Sequence, residues 1–273
     1  STASFTDKLI AWIDANRGSG KPFFAYAAYT APHWPLQAPV ADIEAQKGRY
    51  DAGYETIRLR RIEHMKQRGL IPQAMQPHPG VAGPGEGGTG PRRWAELTDV
   101  ERAREARLME IYAAMVSNLD RHVGRLVDHL KRIGEYDRTL IIFMSDNGAE
   151  GAPAFAPPVP GTAVDDRLDK LGHPGSVAAY GPRWAEVSAA PFRLVKGFTG
   201  AEGGTAAPLI VKLPGQRQAL PTSHARMQVT DVLPTVLEAT GVADPGSRFR
   251  GRVVHPIEGV SFWQALRRPD AFA

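Results

Sequence analysis

The chain has 273 residues, of which 42% are hydrophobic and 23% are charged, a composition typical of a folded globular protein. The formal net charge is only +4 and the basic residues are spread along the chain, which argues against a nucleic-acid-binding protein. There is no cysteine, which excludes disulfides, thiolate metal sites and cysteine nucleophiles from this sequence, and no apolar run is long enough to span a bilayer.

The first third of the chain predicts a helix, a strand and a second helix. Apolar residues recur at helical spacing from Phe5 to Ile13, and the helix is expected to end before Gly18. The apolar, aromatic stretch FFAYAAY, residues 23–29, predicts a buried strand with His33 just beyond its carboxyl end. A second amphipathic helix is predicted from Tyr54 to Arg68.

The middle of the chain contains a flexible segment and then the strongest helical pattern. Proline and glycine crowd residues 72–93, which predicts a long flexible loop within a single domain of residues 1–273. Thr98 and Glu101 can form a capping box at the start of a long helix, which is expected to end at Gly134.

The second half of the chain alternates strands and helices. Residues 139–145, TLIIFMS, predict a buried strand, and residues 207–213, APLIVKL, predict another. A short helix is predicted between Thr230, as its N-cap, and Gly241. This order predicts an α/β fold with a mostly parallel sheet and helices on both faces.

Two oxygen-bearing side chains, Asp146 and Asn147, directly follow the strand at 139–145. A carboxylate and an amide carbonyl are hard donors that suit Ca²⁺ or Mg²⁺, and Gly148 would let the backbone turn tightly around an ion. The same three residues are also a common turn composition, so the pattern by itself leaves an ordinary Asx turn open.

Two basic side chains are candidates for contact with an anion. His33 lies between prolines in a stiff loop and could contact an anionic group or transfer a proton. Lys196 precedes a glycine-rich turn, where it could meet an oxyanion as a point charge. Each is open to a plainer interpretation, because loop histidines and lysines are often only solvated.

Other polar pairs are interpreted as structural. His122 and His129 are seven residues apart on the predicted long helix, too far for both to bind one metal. Asp165 and Asp166 follow no apolar strand and are assigned to a solvated loop.

Four stretches occur in series along the chain: KPFFAYAAYTAPHWPLQAP, YAAMVSNLDRHVGRLVDHL, TLIIFMSDNGAEG and RLVKGFTGAEGGTAAPLIVKLPG. Together with QVTDVLPTVLEATG behind them, they resemble the consecutive blocks of the sulfatase family, in particular those of bacterial arylsulfatases. The resemblance covers most of the chain.

The resemblance implies an alkaline-phosphatase-like α/β sandwich and the hydrolysis of a small-molecule sulfate ester with one divalent cation, usually calcium, with magnesium as an alternative. Asp146 and Asn147 match the family's metal ligands. His33 matches the histidine that contacts the sulfate or the leaving-group oxygen, and Lys196 matches the lysine that binds the sulfate. The expected enzyme is therefore an arylsulfatase-like hydrolase.

The sequence departs from the family at the nucleophile. Sulfatases use a formylglycine made from the first residue of Cys/Ser-x-Pro-x-Arg, and the nearest match here is residues 189–193, AAPFR, which has alanine in that place. The family's first aspartate pair and its small C-terminal subdomain have no counterpart either. These differences predict a partial catalytic domain that belongs to a longer parent, and the piece by itself is expected to be inactive.

Two alternatives to a sulfatase stay open. A phosphonate monoester or phosphodiester hydrolase of the same superfamily would share the metal and the formylglycine, and a non-catalytic remnant would keep the fold without turnover. The sequence indicates neither an oligomeric state nor a cellular compartment.

Overall fold

A computed structural model describes residues 1–78, 92–151, 163–219 and 222–268. The chain divides into two compact units, one made of residues 1–137 and 147–208 and the other of residues 138–146 and 209–273. The predicted loop at 72–93 lies mostly outside the described residues. In the described residues, no helix is both long and apolar enough to cross a membrane.

The first unit is helical. Its α-helices are α1 (Thr2–Asn16), α2 (Val40–Glu44), α3 (Gly53–Gln67), α4 (Asp99–Arg132), α5 (Gly181–Ala189) and α6 (Glu202–Thr205), with a 3₁₀ turn at Trp94–Glu96. The predicted helices in the first 137 residues are therefore confirmed, with boundaries that differ by a few residues at most.

Helix α4 has 34 residues and is bounded as its sequence predicts. Thr98 and Glu101 form the expected capping box, in which the Thr98 hydroxyl accepts from the Glu101 N–H while the Glu101 carboxylate accepts from the Thr98 N–H. At the other end, Gly134 adopts a φ of 75°, and the Glu135 N–H donates to the Leu130 carbonyl to close the helix.

The core of the first unit lies between α2, α3, α4 and α5. Trp184 of α5 is fully buried and meets Tyr54 and Trp94 edge-on. Its indole N–H donates to the Glu105 carbonyl of α4 over 2.9 Å, so the buried polar atom has a partner. Leu36 and Val195 are buried in the same core, which ties two otherwise irregular segments to the helices.

The second unit contains the strands. They are β1 (Ile141–Met144), β2 (Leu209–Lys212), β3 (Arg248–Phe249) and β4 (Arg252–Val253), accompanied by helices α7 (Val232–Thr240) and α8 (Trp263–Leu266). Strands β1 and β2 confirm the two predicted in the second half of the chain. Helix α7 ends at Gly241 as expected, but it is preceded by a 3₁₀ turn at Val229–Asp231, so Asp231 and not Thr230 is its N-cap.

The α/β class is confirmed, whereas the described strands do not show the expected parallel pairing. β1 and β2 pair antiparallel, with Met144 opposite Leu209 and Ile141 opposite Lys212. β1 ends at Met144, and β2 begins at Leu209 beside that same end. A parallel partner would instead require the connecting chain to cross back to the start of β1. β3 and β4 form an antiparallel hairpin.

The strand predicted at residues 23–29 is not formed. The segment makes no sheet ladder, and Phe24 and Tyr26 are 73% and 85% exposed. A strand needs a hydrogen-bonding neighbour, and this segment makes no ladder hydrogen bonds with the described residues. The prediction that His33 follows the end of a strand is therefore wrong, and His33 lies in a loop that is held by other contacts.

Candidate active site

The loop that carries His33 is attached to the helical core on its C-terminal side. The Leu36 N–H donates to the Ala178 carbonyl over 2.9 Å, and the Ala38 N–H donates to the Gly172 carbonyl over 3.3 Å. The Leu36 side chain is fully buried, so these bonds fix the point at which the loop meets the core, and His33 is exposed three residues before it. The loop is therefore held by backbone hydrogen bonds to the core, in addition to the prolines noted in the sequence.

The segment that carries Lys196 is attached to the same core. Val195 is 9% exposed and packs among the core side chains, and the Lys196 N–H donates to the Ala149 carbonyl over 2.8 Å. This bond joins the lysine segment to the residues that follow Asn147. Lys196 itself is only partly exposed.

His33, Lys196 and Glu150 form a three-residue cluster. Lys196 Nζ lies 3.3 Å from His33 Nε2 and 3.0 Å from a carboxylate oxygen of Glu150. The Glu150 side chain is 19% exposed and that of Lys196 is 33% exposed, so the ion pair is partly shielded from water. The structure thus brings together the two basic residues that the sequence proposed separately.

The contacts of the His33 ring identify its tautomer. Nδ1 lies 2.7 Å from the Trp34 carbonyl, which can only accept, so Nδ1 carries the proton. The Nε2 lone pair then faces Lys196 and accepts from the ammonium group. An ammonium group has three N–H donors, so one remains after His33 and Glu150 have each accepted one.

Three glycines allow the backbone to pack closely behind Lys196. A Cβ on Gly203 would lie 1.9 Å from the Leu194 carbonyl oxygen, and one on Gly148 would lie 2.0 Å from the Gly203 carbonyl oxygen. At Gly204 a Cβ would be 2.6 Å from the Val195 carbonyl oxygen. The Gly148 N–H donates to the Gly204 carbonyl over 3.0 Å, which closes the contact. The lysine segment therefore has a fixed backbone support that only glycine permits.

Two tyrosines lie near this cluster, the buried Tyr180 and the partly buried Tyr112. Tyr112 and Tyr180 meet edge-on with ring centroids 4.6 Å apart. Burial raises the pKa of Tyr180, and the Tyr112 hydroxyl and the Glu150 carboxylate raise it further. Burial also raises the pKa of Tyr112, so both phenols remain neutral at physiological pH.

The predicted metal ligands follow β1 directly. Asp146 is exposed, and Asn147 is partly exposed with its Nδ2 donating to the Gly148 carbonyl over 2.8 Å, which fixes the plane of the amide. The donor chemistry fits a hard divalent cation. In the part of the chain that the structure describes, no group of three histidine or acidic side chains is arranged to hold a metal, so these two residues would be a partial ligand set.

The polar pairs interpreted as structural have defined partners. His129 is buried, with Nε2 3.0 Å from an Asp14 carboxylate oxygen, and His122 Nδ1 lies 2.9 Å from Arg125, so the structural interpretation of both agrees with these contacts. Asp166 differs from expectation. Its carboxylate accepts from the Ser176 hydroxyl and from the Val177 N–H, so it organises its loop instead of being merely solvated.

Glu150 is the site residue that the sequence interpretation missed. It follows Asn147 by three residues in a glycine-rich stretch without periodicity, and nothing in that spacing predicts a contact with Lys196. Only the pairing of the Ala149 and Lys196 backbones, formed in the folded chain, places the two side chains together.

A family model and the curated relatives of the chain all point to one family. The sulfatase family model matches residues 1–242. An uncharacterized sulfatase of Schizosaccharomyces pombe is 45% identical over 255 residues, covering 92% of this chain and 45% of that protein. An arylsulfatase of Klebsiella aerogenes is 34% identical over 265 residues, covering 96% of this chain and 55% of that protein.

Among solved structures, the crystal structure of Ps i-CgsB aligns with 98% of this chain and 38% of its own, with 21% sequence identity and a TM-score of 0.49. The chain spans about half the length of the curated relatives it matches.

Proposed function

Since the chain belongs to the sulfatase family, we propose that the protein containing it hydrolyses sulfate monoesters. The observation that best supports this function is the contact between Lys196 Nζ and His33 Nε2. It places a cation and an imidazole at one point, where a sulfate group could be bound. We propose that the chain is part of a catalytic domain in which these two residues bind the substrate.

Lys196 is the proposed sulfate-binding residue. Two of its N–H groups point to His33 and Glu150, which holds the ammonium in one orientation and directs the third donor to a sulfate oxygen. Because the ion pair is partly shielded, the positive charge acts in a medium less polar than water. Negative charge that builds up as the ester bond breaks is stabilised by this preorganised donor.

His33 is the proposed contact to the ester oxygen. Its Nδ1 proton is held by the Trp34 carbonyl, and its Nε2 atom shares a proton with Lys196, the proposed sulfate-binding residue. Transfer of the shared proton from Lys196 to Nε2 would give an imidazolium, which can donate that proton to the oxygen of the departing alcohol or phenol and leaves Lys196 neutral until it is protonated again. The Trp34 carbonyl keeps the ring in the orientation that this transfer needs.

Asp146 and Asn147 are the proposed protein ligands of a divalent cation, Ca²⁺ or Mg²⁺. A bound cation would reduce the charge repulsion between sulfate oxygens and an attacking oxygen. Calcium takes about six to eight oxygen ligands, so further oxygens, from other residues of the protein or from water, would complete the site. Because the sequence contains no Cys/Ser-x-Pro-x-Arg motif, we also propose that the formylglycine nucleophile is supplied by residues outside this sequence.

Parallel kinetics on three substrates tests the proposed function. The protein that contains the whole chain would be assayed with 4-nitrophenyl sulfate, bis(4-nitrophenyl) phosphate and 4-nitrophenyl phenylphosphonate. We expect the highest kcat/KM on the sulfate. A clear preference for either phosphorus substrate would assign the protein to the phosphonate monoester or phosphodiester hydrolases, and no turnover of any of the three would favour a non-catalytic protein.

A further inference from the structure

The β3–β4 hairpin of the second unit carries a dense group of arginines. Arg248, Arg250 and Arg252 alternate within five consecutive positions, and residues 247–257 contain no aspartate or glutamate. All three arginines are exposed, and their guanidinium groups make no hydrogen bond or ion pair with the residues that the structure describes. The hairpin therefore presents to solvent a positive charge that no neighbouring side chain in this stretch neutralises.

A two-residue turn fixes the geometry of the hairpin. Its central residues are Arg250 and Gly251, with φ of 49° and 78°, and positive φ at both positions is characteristic of a type I′ turn. Asparagine, aspartate and glycine are the usual residues in such a turn, so arginine at position 250 is uncommon. The turn leaves Phe249 opposite Arg252.

The register places two of the arginines with an aromatic ring. Residues directly opposite each other in an antiparallel pair share a face, and successive residues alternate. Arg252 is therefore on the face of Phe249, whereas Arg248, opposite Val253, is on the other face. The guanidinium carbon of Arg250 lies 5.4 Å from the centroid of the Phe249 ring, and this ring remains 53% exposed. One face thus combines an accessible aromatic ring with two cations.

We infer that this face of the hairpin binds a sulfated polysaccharide. Guanidinium groups donate paired hydrogen bonds to oxyanions, and the exposed Phe249 ring offers flat apolar surface to a sugar ring. The face is open and is not a pocket, so it would hold one sulfate of a small molecule only weakly. A polymer that repeats its sulfate groups engages Arg250 and Arg252 together. The choice of sulfate among anions rests on the proposed sulfate ester hydrolysis.

Binding of two matched polymers tests the hairpin without any need for turnover. The protein that contains the whole chain would be titrated with fluorescently labelled chondroitin 4-sulfate and with the same polymer after desulfation, which keeps its carboxylates. An exposed ion pair corresponds to about a two- to fivefold effect, so two of them should make the sulfated polymer bind about four- to 25-fold tighter. The double variant Arg250→Ala/Arg252→Ala should remove this difference and reduce the dependence of binding on salt.

Control variants separate this face from general positive charge. Arg60→Ala/Arg68→Ala removes the same charge from two exposed positions of the first unit and should preserve the difference between the polymers. Arg248→Ala, on the opposite face of the hairpin, should weaken binding of the sulfated polymer less than Arg252→Ala does. Phe249→Ala should weaken both polymers, because both carry sugar rings.

Three results would overturn the inference. They are equal binding of the two polymers to the wild-type protein, equal losses in the two double variants, and equal losses in Arg248→Ala and Arg252→Ala. Tighter binding of duplex DNA than of chondroitin 4-sulfate at the same salt concentration would also reject a sulfated polysaccharide as the ligand.

Turnover of a small ester distinguishes failure of the hairpin from failure of the proposed function. 4-Nitrophenyl sulfate has one sulfate and no sugar, so Arg250→Ala/Arg252→Ala should hydrolyse it with the kcat/KM of the wild type. If the ester is hydrolysed but the double variant loses no polymer binding, the hairpin is not a polysaccharide-binding surface and the proposed function stands. If the ester is not hydrolysed but polymer binding depends on the two arginines, sulfate ester hydrolysis is rejected and the binding surface stands.

Discussion

The ammonium nitrogen of Lys196 lies 3.3 Å from Nε2 of His33, although 163 positions separate the two residues along the chain. Both are attached to one helical core, His33 through the loop anchored by Leu36 and Lys196 through the buried Val195. The contact is therefore a property of the packed helices. Neither local sequence contains a signal for it.

Removing the lysine ammonium should impair the proposed reaction most. We expect Lys196→Ala to lower kcat/KM for 4-nitrophenyl sulfate by about 100-fold, the usual loss for one preorganised donor to a developing negative charge. Lys170→Ala, at a lysine paired with Asp169 in an exposed loop, is the matched control and should retain activity. Equal activity in both variants would exclude Lys196 from sulfate binding.

Glu150 is expected to position Lys196. Glu150→Ala removes the acceptor 3.0 Å from Nζ and should lower kcat/KM about three- to tenfold, because the ammonium loses one of the two polar contacts that it makes with described residues. Glu150→Gln retains an acceptor oxygen and should be affected less. Steady-state kinetics on the two variants compares their losses in kcat/KM. If Glu150→Gln lost as much as Glu150→Ala, the negative charge of Glu150 would matter and not its hydrogen bond.

The glycine support behind the lysine segment should not tolerate a methyl group. Gly203→Ala would place a Cβ 1.9 Å from the Leu194 carbonyl oxygen, so the backbone must shift. We expect a loss of about 1–3 kcal/mol in the free energy of unfolding, together with lower activity. Urea denaturation followed by circular dichroism measures the first, and steady-state kinetics measures the second.

Gly124→Ala is the control for this substitution. A Cβ at Gly124, within α4, meets no other atom within 4 Å. Because alanine favours a helix over glycine, this variant should be more stable by about 0.5–1 kcal/mol and fully active. If Gly203→Ala behaved in the same way, the close backbone contact would not matter for the site.

Removal of the divalent cation should abolish activity, and adding Ca²⁺ should restore it. Asp146→Ala should raise the Ca²⁺ concentration required, because it removes one of the two proposed protein ligands in this chain. The shift in melting temperature on adding Ca²⁺ gives a readout independent of turnover and should shrink in this variant. Asp128→Ala, at a residue 74% exposed on α4, is the control. A Ca²⁺ response equal to that of the wild type would reject Asp146 as a ligand.

Glu105 makes stability depend on pH in a direction opposite to that of most carboxylates. Burial raises its pKa even though the Tyr54 hydroxyl and Arg104 favour the charged form. A raised folded-state pKa means that the folded chain binds the proton more tightly, so this contribution to stability is present at low pH. It is lost as the pH rises through the folded-state pKa.

Glu105→Gln should therefore be more stable than the wild type at pH 8, with a smaller difference at pH 4. Urea denaturation at the two pH values measures it, and Glu63→Gln, at an exposed residue of α3, should show no such pH-dependent gain. A constant difference between Glu105→Gln and the wild type would show that the carboxyl does not titrate differently on folding.

The local elements follow from the sequence wherever one segment contains its own stabilising contacts. The capping box at Thr98 and the glycine at 134 define α4 without reference to any other segment, and both are present in the structure. The apolar run at 141–144 likewise forms β1. By contrast, residues 23–29 have the composition of a strand but no strand partner among the described residues, and composition cannot show whether a partner is present.

The sequence by itself determined the family, the helices, and the candidate residues His33, Asp146, Asn147 and Lys196, because these depend on residue identity and short spacing. The tertiary structure decided which of them meet. It placed His33 against Lys196, added Glu150 as the partner of that lysine, and paired β1 with β2 in the antiparallel direction. These contacts join positions far apart in the chain, and they exist only once burial of the core has fixed the separate loops relative to one another.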